Sequence, residues 1–94
     1  IDFLSGEFRD QVWRWSGIAE AKLSVSRASL DQAANQLRHL ARIVRAAVQA
    51  EAMSGSGRLE LITYFSIQDP IAAEIRRRLA QEFPEITFHI RQQR

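Results

Sequence analysis

The chain has 94 residues, 46% of them hydrophobic and 26% charged, the balance of a folded globular domain rather than a disordered one. Its 13 basic residues exceed its 11 acidic ones by only two, so whole-molecule attraction to an anionic partner is weak; all the basic residues except Lys22 are arginine. With no cysteine, disulfides, thiolate metal sites and cysteine nucleophiles are excluded, and no apolar run approaches the roughly 20 residues of a membrane-spanning helix.

Taken in order, residues 1–17 read as an N-terminal helical segment. Ser5 is a possible cap, and Phe8, Val12 and Trp15 recur at spacings of four and three, the helical period. Ser16-Gly17 supplies a stop. From Ile18 to Arg27 the pattern becomes that of a strand: Ala19, Ala21, Leu23 and Val25 alternate with Glu20, Lys22, Ser24 and Ser26, which places the second set on a solvated face.

Ser29 and Gln32 have the spacing of a capping box, opening a helix that runs to about Ala52. Its apolar stripe contains Leu30, Ala33, Ala34, Leu37, Leu40, Ala41, Val44, Ala47 and Val48, with Arg38, Arg42 and Arg45 on its flank. The SGSG run at 54–57 ends it as a surface loop.

Residues 58–67, RLELITYFSI, carry apolar groups on both faces and read as a central strand. Asp69-Pro70 opens a second helix, buried along Ile71, Ala72, Ile75, Leu79 and Phe83, and Pro84 stops it. A closing strand at 85–91 places Ile86, Phe88 and Ile90 on one face.

The predicted order is therefore α-β-α-β-α-β, a small α/β or α+β domain with helices packed on a three-stranded sheet. A ferredoxin-like arrangement is the alternative, in which VQAEAM (48–53) becomes an additional strand. Residues 18–94 would form the core of a single domain, 1–94, and a start at Ile1 suggests a piece of a longer protein. A soluble placement is expected, with the cytoplasm favoured.

No constellation of nucleophile, base and orienting acid emerges from the sequence, so no catalytic residue, metal ligand or cofactor is assigned. His39 and His89 fall on different elements, and either reads as a surface residue. The strand–helix–strand layout after Gly57 also occurs in zinc-dependent nucleic-acid deaminases, but the cysteines and His-x-Glu that hold their metal are missing. No family follows from the layout.

Two features remain. On a helix Trp13 and Trp15 lie about 200° apart, so burying Trp15 with Phe8 and Val12 would expose Trp13. An exposed tryptophan is a usual anchor for a partner. The leading expectation is thus a non-catalytic interaction, oligomerisation or regulatory module that binds a protein partner or itself through Phe8, Trp13 and Trp15. The alternative is a nucleic-acid-binding domain using Arg38, Arg42 and Arg45 together with Arg76, Arg77 and Arg78, with Arg38, Arg42, Arg45 and Arg77 as its contact residues. An enzyme subunit or toxin-like domain is the third reading.

Overall fold

The computed structural model describes residues 3–55 and 57–93, so Ile1 and the Ser56 of the SGSG run lie outside the described residues. Strand β1 (Phe3–Arg9) and strand β2 (Val12–Lys22) form an antiparallel hairpin. Helix α1 (Leu30–Gln49), a two-residue strand β3 (Met53–Ser54), strand β4 (Arg58–Thr63), helix α2 (Asp69–Glu82) and strand β5 (Thr87–Gln92) follow. The result is an α+β fold with a five-stranded mixed sheet, ordered β1-β2-β4-β5, with β3 paired to β2 beside β4.

The three-stranded sheet and the α-β-α-β-α-β order are both corrected, and the reason lies in the first 22 residues. Phe8, Val12 and Trp15 fit a helical spacing by coincidence. Asp10 and Gln11 both adopt positive φ, 54° and 66°, which makes a two-residue hairpin turn whose twist matches the flanking strands. Neither residue is glycine, so the usual turn signal is missing. The aromatic and β-branched run VWRW then favours the extended chain.

An irregularity in β2 completes the disguise. Ser5 pairs with Gly17 but Gly6 with Trp15, leaving Ser16 as an extra residue that shifts the alternation by one. Trp13 and Trp15 therefore share a face with Ile18, Glu20 and Lys22, although the two sets differ in parity. The ferredoxin-like alternative is also corrected: only Met53 of VQAEAM enters a strand, and the sheet begins with a hairpin.

From β2 onwards the strands are parallel, β2 to β4 and β4 to β5, so each connection needs a crossover helix. Both helices lie on one side of the sheet. Leu61 packs with Leu30, Ala33, Ala34 and Leu37 of α1 and with Ile71, Ile75 and Leu79 of α2. Leu59 packs with Trp15, Ile18, Leu40, Ala41, Val44, Phe83 and Ile86.

The α1 stripe and the α2 stripe are buried largely as their periodicity requires. Details at the ends differ: α1 is preceded by a 3₁₀ turn at Arg27–Ser29, and the Ser29 hydroxyl accepts the Ser26 N–H at 3.0 Å rather than capping through Gln32. Strand β4 stops at Thr63, four residues early, because β2 ends at Lys22 and β5 at Gln92, its register partners. Among the described residues no helix is long and apolar enough to cross a membrane.

Candidate functional site

The irregularity at Ser16 has a chemical consequence further along β2. Ile18 is the register partner of Leu59, Glu20 of Leu61 and Lys22 of Thr63. Leu59 and Leu61 are fully buried beneath the helices, and residues level with one another in a parallel pair project to the same side. Glu20 and Lys22 thus stand on the helix-facing side, as the last members of an inward row that starts with Trp13, Trp15 and Ile18. The sequence pattern assigns them to the solvated face. Within β2 the observed order is the reverse for Glu20 and Lys22, while Ala19 and, beyond the strand, Val25 are buried as the pattern requires.

Both side chains are only partly exposed. Glu20 lines a crevice of about 700 Å³ against one flank of α1, where Gln32, Asn35, Gln36, His39, Leu40 and Ile43 form the other wall. Gln36 places its amide oxygen Oε1 in a buried position with no hydrogen-bond partner among the described residues, and the Oγ1 of Thr63, beside Lys22, and the indole Nε1 of Trp13 and of Trp15 further along the row are in the same state. A buried polar atom without a partner costs on the order of 1–3 kcal/mol. Lys22, Thr63 and Gln92 mark the carboxyl ends of the three parallel strands, the usual position of ligand sites in open sheets of this kind.

Among the described residues no group of three or more histidine, aspartate or glutamate side chains could hold a metal ion.

The residues singled out from sequence lie elsewhere. Trp15 is 5% exposed within the core and Trp13 packs against the same cluster, because on a strand the two share a face. Phe8 is 65% exposed on the edge strand. Hence the structure does not bring Phe8, Trp13 and Trp15 into one exposed patch.

The arginines of the two helices face each other across the seam between them and are matched by carboxylates. Arg38 donates to Glu82 at 2.6 Å, and Arg42 approaches the same carboxylate at 3.5 Å. Arg45 reaches Glu85 at 2.6 Å and the Glu82 carbonyl at 2.8 Å while its guanidinium sits 4.3 Å over the Phe83 ring. On α2, Arg77 and Arg78 both hold Glu74, and Arg78 also bridges to Asp31 at 2.6 Å. Most of this positive charge is neutralised within the protein.

Those pairs fix a pH dependence. Hydrogen bonds from Arg77 and then Arg78 lower the Glu74 carboxyl from its ordinary 4.5 to about 2. Glu82 is lowered by Arg38, and Glu85 by its own backbone N–H and then by Arg45. A carboxyl with a folded value below its unfolded one contributes stability above the unfolded value, and that contribution is lost as pH falls through the folded value. Thermal midpoints should therefore be level above about pH 5 and fall between about 4.5 and 2. Glu74→Gln should make that fall shallower, which a melting series over this range would read directly.

The uncovered side of the sheet carries a second polar group. Glu60 is gripped by Arg58 at 3.0 Å and Arg91 at 3.1 Å, with His89 Nδ1 at 3.7 Å. It is a compact ion-pair cluster in which one carboxylate is shared by two guanidiniums.

In comparisons with known proteins, no family model, no curated protein and no solved structure matches this chain.

Proposed function

We propose that this domain hydrolyses phosphodiester bonds in nucleic acid, with Glu20 and Lys22 as the reacting pair. The supporting observation is their placement on the packed side of β2, at the carboxyl end of a parallel strand, with Glu20 opening into the crevice against Gln36. Apolar residues at both positions would continue the Trp15–Ile18 row and add stability. Ionisable groups there cost desolvation, and departures from the packing pattern of this kind concentrate at functional sites.

The residue types suit the reaction. The Glu20 carboxylate and the Gln36 amide oxygen are hard oxygen donors of the kind Mg²⁺ selects, and Mg²⁺ keeps several waters and completes its shell with one or two carboxylates and substrate phosphate oxygens. A short protein ligand set is therefore sufficient. Lys22 is a compact point charge suited to the non-bridging oxygens of a phosphate, where negative charge builds during attack.

Glu20 and Gln36 would hold the cation, which would supply an activated water, while Lys22 would hold a non-bridging oxygen of the phosphate. Hydrolysis joins a water oxygen to phosphorus, breaks the bond from phosphorus to one ribose oxygen and leaves one proton of the water on the released ribose hydroxyl. The test is incubation of the protein with end-labelled oligonucleotides in Mg²⁺ or in EDTA. Shortened products in Mg²⁺ alone are expected; products at equal rate in EDTA, or no cleavage of any DNA or RNA strand, would reject the reading.

A second reading, self-association, is favoured by one observation. Strand β1 is a sheet edge with Leu4 55% and Phe8 65% exposed on the side toward the helices, and a second copy pairing there would cover both. Sedimentation should then give twice the chain mass for the wild type and the single mass for Phe8→Ser. A monomeric wild type removes this reading.

A further inference from the structure

Resting on the phosphodiester reading, we infer that Tyr64 and Phe65 form a stacking platform for unpaired nucleobases beside Lys22, which makes single-stranded nucleic acid the substrate. The two residues directly follow β4. They are 54% and 61% exposed, and Leu23 alongside is 66% exposed, so large apolar residues gather at the carboxyl edge of the sheet.

The backbone beneath them is held firmly. Tyr64 donates its N–H to the Lys22 carbonyl at 3.1 Å and Phe65 to the Leu23 carbonyl at 3.0 Å. Gln92 Nε2 donates to the Tyr64 carbonyl at 3.4 Å, and the Gln93 N–H to the Thr63 carbonyl at 2.7 Å. Both residues are thus displayed from anchored chain, and the Tyr64 backbone is bonded to that of Lys22. Single strands bind where aromatic side chains and basic groups share one region of surface, each base supplying a face for stacking and each phosphate a charge for an ammonium. Duplex bases are already stacked on one another and offer no such face.

The platform is testable apart from hydrolysis. Fluorescence anisotropy in EDTA would compare three labelled probes of equal length: a DNA strand with ordinary bases, a strand of abasic sugars, and a duplex. Wild type should bind the base-bearing strand at least about fivefold more tightly than the abasic one, the lower end of what one stacked base contributes. Tyr64→Ala and Phe65→Ala should each narrow that gap while leaving abasic binding unchanged.

Equal affinity of wild type for base-bearing and abasic strands would overturn the inference, as would an unaltered gap in both variants. Should either alanine variant melt early, Tyr64→Leu and Phe65→Leu keep apolar cover without a stacking face, and a full gap in that pair would overturn it equally. The two proposals fail separately. Base-dependent binding without cleavage in Mg²⁺ leaves the platform and removes the hydrolytic reading, whereas cleavage without base dependence does the opposite.

Discussion

Glu20→Gln and Lys22→Ala should each lower the rate of oligonucleotide cleavage by about 10²-fold or more, the range seen when a group acting on the transition state is removed. The two should differ in kind. Glutamine keeps the size of Glu20 but removes the charge that would attract a divalent cation, so raising the Mg²⁺ concentration should restore part of the rate. Alanine at Lys22 leaves the carboxylate in place, and added Mg²⁺ should restore little.

Stability distinguishes this from a structural role. Neither residue belongs to the two core clusters, so both variants should stay folded with thermal midpoints near that of the wild type. Lost activity with intact folding is the expected signature. A fall in stability that parallels the fall in activity would assign both residues to packing.

Phe83→Ala should have the largest effect on folding, about 3–5 kcal/mol. Phe83 is 1% exposed, and its ring meets Phe88 edge-on at 6.4 Å between centroids while the Arg45 guanidinium lies 4.3 Å over it. It also closes α2, donating its N–H to the Leu79 carbonyl at 2.8 Å. Truncation therefore opens a cavity in the cluster under Leu59 and removes the surface on which Arg45 rests. Against a total stability of about 5–15 kcal/mol, that loss removes a large share and should move the urea midpoint clearly downwards. Phe83→Leu, which fills more of the space, should cost clearly less.

The sequence makes some of this legible and conceals the rest for definable reasons. Helix α2 can be read because Pro70 opens it, Pro84 closes it and Ile71, Ile75 and Leu79 keep the helical period between. Helix α1 is equally plain from its stripe. The hairpin is hidden because Asp10 and Gln11 supply positive φ without glycine, and because the extra residue at Ser16 breaks the alternation of the strand into two phases.

The candidate site is hidden by a related difficulty. Alternation in 18–27 shows that Glu20 and Lys22 share a face, but which face the helices cover is decided by Leu59 and Leu61, some forty residues later. Local pattern assigns the greasier set to the core, and here the small residues Ala19 and Ala21 occupy the other side. One signal was present in the sequence: Lys22 is the single lysine among 13 basic residues. Arginine dominates the ion pairs of the helix seam, where a bidentate fork is useful, and the one compact ammonium stands two residues from a carboxylate on a strand. The helical arginines drew attention by number, yet Arg38, Arg42, Arg77 and Arg78 pair with carboxylates on the neighbouring helix or the same one, and Arg45 with Glu85 just past the end of α2.

Single-turnover cleavage of an end-labelled single strand in Mg²⁺, by wild type and by the Glu20→Gln/Lys22→Ala double variant prepared side by side, bears most directly on the reacting pair. Product should accumulate with the wild type and be absent with the folded double variant. Equal product from both, or none from either, would contradict it.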